Sequence, residues 1–380
     1  MKILFLPSWY PSKEDPIWGN YFLKQAESMS KYADVSMMYV NRVGIKQVFK
    51  FFKIKKEKPK EYKFKFFKTD IINLKSINIF LSYYFYKKAI YKLYKKNIKE
   101  KPDIIFVQSV LPAGVGALYI SKKENIPFVV HEHSKTVMQN KKHKAFFEKI
   151  LKEADGYFAV GKSIKEYLLE IGRTDTKIIP NFINTKKFDI LPNKSKKDFT
   201  IITICNFFKI KSIEVLFKAL RIFLDKYKVT NVKLNIIGTG ENEEFYKQTV
   251  KKLNLNKYVN FLGYVKNDDV PKKLSESNIL CLSSKEETFG IPIVEAMACG
   301  LPCISTNCSG PREIINKENG ILVPIDDEKK YAEAIYSMYK NSNNYSSSKI
   351  KKFVYDNYDE KVVCNNILKE LKIIIKRKKS

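Results

Sequence analysis

The sequence predicts an α/β chain with two doubly wound parallel sheets, one in each half. Short apolar runs of strand length alternate with helical segments throughout, the spacing found in such sheets. The 380 residues suffice for two domains of about 150–200 residues, each with its own core. A polar, Lys-rich stretch at Pro192–Lys197 interrupts the alternation, which puts the boundary near 190–197.

In the first half, Lys2–Leu6 is a buried strand, Gly19–Lys31 a helix and Asp34–Val40 a second strand. Pro102–Val107 and Pro127–Val130 are further strands, with a helix over Gly114–Lys122 between them. Beyond the linker Ile178–Phe188, strands are expected at Phe199–Ile204, Lys233–Ile237, Val259–Leu262, Ile279–Leu282 and Pro302–Thr306, with a helix over Glu243–Leu253. The tail Tyr358–Lys379 has helical periodicity and a basic end.

Composition narrows the class. The hydrophobic fraction, 44%, is that of a globular protein. No stretch approaches the roughly 20 apolar residues of a membrane span. The run before Pro7 is too short for a signal peptide. The six cysteines form no C-x2-C pair, so reduced, mostly buried thiols in a cytoplasmic protein are expected, without a metal site. The net charge of +30 is able to steer a protein toward nucleic acid or anionic lipid. Only five basic residues are Arg, which argues against a dedicated nucleic-acid reader, because bidentate base and phosphate contacts rely on Arg. The charge reads equally as the codon bias of an A+T-rich genome, which inflates Lys, Asn, Ile, Tyr and Phe together.

The segment Ser283–Pro302 says most about chemistry. Strand Ile279–Leu282 runs into a loop carrying Glu287, then Phe289-Gly290, then a short helix with Pro292 at its first position and Gly300 just past its end. Glu295, eight residues beyond Glu287 with the seven residues Thr288–Val294 between them, is expected in the first helical turn, where the macrodipole favours a negative side chain. Either Glu alone reads as a helix-start or solvated residue. The whole strand–loop–helix arrangement suits a polyhydroxylated, phosphorylated ligand, since carboxylates accept from hydroxyls and free helix-start amides face anionic oxygens.

This segment resembles the E-x7-E signature of retaining nucleotide-sugar glycosyltransferases of the GT-B fold, glycosyltransferase family 4 in particular, and the resemblance extends over nearly the whole chain. It implies two Rossmann-like domains facing a central cleft. Residues 1–192 would bind the acceptor, residues 197–356 the nucleotide-sugar donor, and a helix over 357–380 would return to the first domain. It further implies that Glu287 binds donor-sugar hydroxyls, Glu295 the ribose, and the amides around Phe289, Gly290 and Ile291 the sugar and its phosphates.

Other segments extend the resemblance. Cys205–Ser212 is similar to the family's Gly-Arg-Leu-x-x-x-Lys-Gly segment. Lys211 falls on the Lys that neutralises the donor diphosphate, Asn206 where Arg is usual and Ser212 where Gly is usual. Lys209 and Arg312 are candidates to compensate for the missing Arg. His131-Glu132-His133-Ser134 resembles Thr-Glu-His-Ser, with His133 in the place of the active-site His. Metal binding by His131 and His133 is disfavoured because the two are expected to project oppositely from a strand end. Gly19, before the first helix, would lie near the diphosphate. Gly238-Thr239-Gly240 fails as a dinucleotide fingerprint because Glu243 holds the third glycine position; with Gly263-Tyr264 it would border the base. Ser309-Gly310-Pro311-Arg312-Glu313 resembles a Gly-Gly-x-x-Glu loop, in which Glu313 either caps its helix or touches the donor. No Asp-x-Asp motif stands at a suitable place, and Asp326-Asp327 reads as a helix cap, so no cofactor or metal is implied.

Two Lys/aromatic stretches, residues 46–68 and 83–101, fall in the first half. They read either as core elements with a solvated Lys face or as contacts to an anionic membrane at the cytoplasmic face, which would suit a lipid-linked acceptor. The reading is a retaining hexosyl or N-acetylhexosaminyl transferase of bacterial surface-polysaccharide synthesis. The alternatives are another GT-B enzyme, such as a nucleotide-sugar epimerase, and a basic nucleic-acid-binding protein.

Overall fold

The computed structural model describes residues 1–11, 19–43, 62–73, 78–135, 140–190 and 197–379. The chain divides into two compact units, Met1–Ile179 with Cys364–Ser380, and Pro180–Val363.

In the first unit, a parallel sheet comprises β1 (Lys2–Pro7), β2 (Asp34–Val43), β3 (Lys65–Ile72), β4 (Ile104–Gln108), β5 (Phe128–Glu132), β6 (Gly156–Ala159) and β7 (Lys177–Ile178). Their spatial order is β3-β2-β1-β4-β5-β6-β7. The order reverses at β1, the switch point beside which doubly wound sheets place ligands. β1, β4 and β5 are continuous apolar runs because helices cover both faces. Leu4, Leu6, Ile105, Val107, Phe128 and Val130 join one core with helices Ile79–Asn97 and Ala113–Glu124. On the other face Phe5, Phe106 and Phe158 meet edge-on.

The C-terminal helix Glu360–Lys379 also packs on this unit. From Cys364 onward it belongs to this unit: Cys364, Ile367, Leu371 and Ile374 are buried, and Lys378 Nζ lies 2.8 Å from Asp155 Oδ1. The expectation of a returning helix is met. It begins at Glu360, separated at Asp359 from helix Ser347–Tyr358.

In the second unit the sheet comprises β8 (Phe199–Ile204), β9 (Val232–Ile237), β10 (Val259–Gly263), β11 (Ile279–Leu282), β12 (Cys303–Thr306) and β13 (Gly320–Val323), ordered β10-β9-β8-β11-β12-β13 and parallel throughout. Two cores flank it, one around Phe217, Phe223 and Tyr331, the other around Ile293, Val294 and Met297. The sequence reading passed over β3, β6, β7 and β13: β3 has a half-exposed pattern that gives little apolar signal, and the other three are runs of only two to four residues.

Candidate active site

The candidate residues fall in both units, and each group is described within its own unit.

In the second unit, the loops after β8, β11 and β12 meet. Ser283 Oγ donates to the Lys211 carbonyl at 3.1 Å, and the Lys285 amide to the Ile210 carbonyl at 2.8 Å. The Gly310 amide donates to the Glu287 carbonyl at 2.7 Å. These ties bring two side chains together: Lys211 Nζ lies 2.5 Å from Glu287 Oε2, each side chain 20% exposed. Burial alone would depress the Lys211 ammonium. The adjacent Glu287 charge and hydrogen bond outweigh it and raise its pKa above the ordinary 10.5, so Lys211 is a cation at any physiological pH. Two thiols feel the pair's charges. Burial pushes Cys205 up to about 12 and also raises Cys308. Both stay protonated near neutrality and are poor nucleophiles.

Gly290 precedes helix Ile291–Ala298 with φ +99°, a left-handed conformation that glycine adopts without steric cost. The Phe289 side chain turns inward and meets the Tyr358 ring edge-on at 5.6 Å. Helix residues Ile291 and Glu295 are half-buried. One expectation needs correcting: the helix begins at Ile291, so Pro292 is its second residue and Glu295 lies in the second turn. The macrodipole effect falls off within the first turn, so it does not account for Glu295. Gly300 follows the end of the helix with φ +79°, as expected.

Ser212 holds φ +45°, which gives a physical reason for glycine at the corresponding place in the resembled segment. Asn206 is half-buried, and its carbonyl accepts from the Phe208 amide at 2.8 Å. Lys209, Tyr264 and Arg312 are exposed, and Glu313 is half-buried in the short helix Pro311–Ile314. Gly240 packs against Phe207, whose amide donates to the Thr239 carbonyl at 2.9 Å. Asp327 caps helix Glu328–Asn341 through the Lys330 amide at 2.8 Å, as expected, while Asp326 pairs with Lys285.

In the first unit, Gly19 precedes helix Asn20–Met29 with its Cα against the Trp9 main chain; Pro16–Trp18 lie outside the described residues. β5 continues through Glu132, two residues beyond the expected end. His131 is fully buried, with Nε2 2.9 Å from the Ile179 carbonyl. Burial lowers its pKa to about 4. The two histidines do not project oppositely: His131 lies in β5, His133 is the first residue past it, and their rings are neighbours. Their ring centroids are 4.4 Å apart. Among the described residues no group of three or more His, Cys, Asp or Glu is placed to hold a metal ion. His143 bonds through Nδ1 to the Tyr83 hydroxyl at 2.8 Å.

The sequence reading also passed over the residues around His133. Its Nε2 lies 2.9 Å from Gln108 Oε1. The Glu132 carboxylate is fully buried and accepts from Ser109 Oγ and from the amides of Val110, His133 and Ser134. Burial raises its pKa, while these donors favour the charged form. Gln108 and Glu132 end apolar strands, and no local pattern distinguishes such residues from core.

Of the Lys/aromatic stretches, residues 46–61 lie outside the described residues. Tyr62 and Phe66 pack around Tyr10, and Phe67 packs on the core, the core-element reading. Within helix Ile79–Asn97, Tyr83, Tyr86 and Tyr94 are buried. Phe80, Leu81, Tyr84 and Phe85 stay exposed on its first two turns, with Lys87 and Lys88 within 6 Å of the Tyr84 ring.

Two parallel-sheet units of this topology match the architecture of GT-B glycosyltransferases. Residues 55–187 match Glycosyltransferase Family 4, and residues 185–354 match the glycosyl transferases group 1. The two matches together run from residue 55 to residue 354, and the relatives are glycosyltransferases. It is 28% identical over 285 residues to the N-acetyl-alpha-D-glucosaminyl L-malate synthase of Bacillus anthracis, covering 70% of this chain and 73% of that one. It is 27% identical over 310 residues to the lipopolysaccharide 1,6-galactosyltransferase of Salmonella typhimurium, covering 72% and 83%. The fold matches that of Anabaena Alr3699/HepE in complex with UDP-glucose, with a TM-score of 0.72 at 18% identity over 98% of this chain and 99% of that one.

Proposed function

We propose that this glycosyltransferase moves a hexose or N-acetylhexosamine from a nucleotide-diphosphate sugar to a glycan or lipid-linked acceptor, with retention at the anomeric carbon and without a metal. The observation that carries the reading is the Lys211–Glu287 pair beside the start of helix Ile291–Ala298. A donor would add to the pair without breaking it: the ammonium's remaining N–H donors turn to the diphosphate, and the carboxylate's other oxygen accepts from sugar hydroxyls. Lys211 and the helix-start amides then neutralise the charge that develops as the bond from the anomeric carbon to the diphosphate oxygen breaks, while the acceptor hydroxyl bonds to that carbon on the same face and its proton passes to the departing phosphate oxygen. Glu295 takes the ribose, and His133 is the first unit's residue assigned to sugar binding. No side chain acts as nucleophile. The glycosyltransferases similar to this chain include one named for lipopolysaccharide and one solved with UDP-glucose, which favours UDP-sugars and bacterial surface-polysaccharide synthesis.

Thermal-shift titration with UDP-, GDP- and ADP-sugars tests the donor. One UDP-sugar is expected to raise the midpoint in buffer containing EDTA. A shift that appears only with added divalent metal overturns the metal-independent reading. NMR of the product anomer decides retention.

A lipid-linked acceptor places the enzyme at the inner face of the plasma membrane. The exposed Phe80, Leu81, Tyr84 and Phe85 beside Lys87 and Lys88 support this reading, since aromatics seat at the interface and lysines favour anionic headgroups. Among the described residues no helix is long and apolar enough to cross a membrane. Co-sedimentation with phosphatidylglycerol vesicles is expected and should fall for Phe80→Ser/Phe85→Ser. Equal sedimentation with phosphatidylcholine would count against the electrostatic part.

A further inference from the structure

The His133 ring is held from several sides. The Phe22 ring meets it edge-on with centroids 4.9 Å apart, and Tyr21 and His131 stand at 5.7 and 4.4 Å. Its one polar contact described on the neighbouring strand is Gln108 Oε1 at 2.9 Å from Nε2. Gln108 is the last residue of β4 and is fully buried. Its main chain is fixed as well, the carbonyl accepting from the Ser8 amide at 3.0 Å. Its own side-chain Nε2 is buried and has no hydrogen-bond partner among the described residues. Leaving a buried amide nitrogen unsatisfied is unfavourable, and the oxygen is the part of the Gln108 side chain that makes the contact.

An amide oxygen accepts and never donates, so Nε2 of His133 carries the proton and Nδ1 is the acceptor nitrogen of the neutral ring. An amide is also uncharged. A carboxylate in the same place would stabilise the imidazolium and raise its pKa. The titratable groups facing His133 among the described residues are Glu132, which accepts from its main-chain amide, His131, and Tyr21. Glu132 spends its oxygens on four donors from the β4 and β5 loops, and His131 stays neutral in its buried site.

We propose that Gln108 is the positioning residue of His133: its amide oxygen selects the Nε2–H tautomer and fixes the ring plane, so that His133 meets the sugar as a neutral hydrogen-bonding group and not as a proton-transfer catalyst. This rests on the assignment of His133 to sugar binding, and the test separates the two. The chain has three histidines, His131, His133 and His143, so long-range 15N–1H spectra of histidine-labelled full-length protein resolve each ring, with His133→Asn supplying the assignment. Wild-type His133 is expected to show the Nε2–H pattern. Gln108→Glu is expected to raise the His133 protonation constant at least about tenfold and to move the acid limb of the kcat profile with it. Gln108→Met, similar in volume, is expected to leave a tautomer mixture and to lower kcat with little change in KM for the donor. A His133 with wild-type tautomer and titration in both folded variants overturns the proposal. Wild-type turnover of His133→Asn, with the tautomer result standing, would instead remove the assignment of His133 to sugar binding.

Discussion

Replacing Glu287 by Ala is expected to reduce sugar transfer below about 1% of wild type while leaving the fold intact. Two effects combine. The sugar loses a charged hydrogen-bond acceptor, worth about 1.5–3 kcal/mol on its own. Lys211 also loses the partner that keeps its ammonium charged and aimed, since the pair is made at 2.5 Å and burial otherwise works against the cation. Lys211→Ala is expected to cost about 10²–10³ in kcat, the scale of removing one preorganised stabiliser of developing charge. Because each residue holds the other, the effects should be strongly non-additive, with the double variant little worse than either single one. Circular dichroism and the thermal midpoint check the fold, and single-turnover kinetics with the donor found by thermal shift check the chemistry. Additive losses, or wild-type turnover in Glu287→Ala, would show that the pair does not work as a unit.

The second large effect is on stability. Gly238 holds φ +143°, and a Cβ there would stand 1.8 Å from the Cys205 carbonyl oxygen. The contact is with main chain, so no side-chain rotation relieves it. Gly238→Ala must separate the loops after β8 and β9, which are joined by the Phe207 amide to the Thr239 carbonyl at 2.9 Å and by the Asn242 side chain to the Phe207 carbonyl at 2.8 Å. A destabilisation of about 3–5 kcal/mol is expected, read as a thermal midpoint lowered by roughly 6–20 °C, given about 2–4 °C per kcal/mol for a unit of this size. An unchanged midpoint would refute this packing role. The prediction also revises the meaning of Gly238-Thr239-Gly240. Its glycines serve close loop packing, whereas in a dinucleotide fingerprint they would serve approach to a pyrophosphate.

Much of the second unit was legible in the sequence. β11, the loop, Gly290 and the end of the helix at Gly300 follow from residue types at fixed offsets, because turn and cap chemistry is local. The position of Glu295 was read one turn too early, since Pro is tolerated at either of the first two helical positions and does not by itself fix the start. The histidine pair was misread for a different reason. His131 lies within β5 and His133 just past its end at Glu132, so the rings' proximity depends on how the chain leaves the strand, and strand ends are the least legible feature of a sequence. Tyr83, Tyr84 and Tyr86 look alike as residue types, yet two are buried and one is exposed; only packing against helix Ala113–Glu124 and its neighbours sorts them.

By itself, the sequence determined the class of fold and the local form of the Glu287–Gly300 segment, because alternating apolar periodicity and glycine, proline and carboxylate spacing are properties of contiguous residues. The tertiary structure alone decided the pairings: Lys211 with Glu287, His133 with Gln108, and Glu132 with Ser109 and Val110. Each joins residues brought together at the carboxyl ends of neighbouring parallel strands. A parallel sheet must cross over through a helix between such strands, so its site partners stand far apart in sequence and leave no local pattern to read.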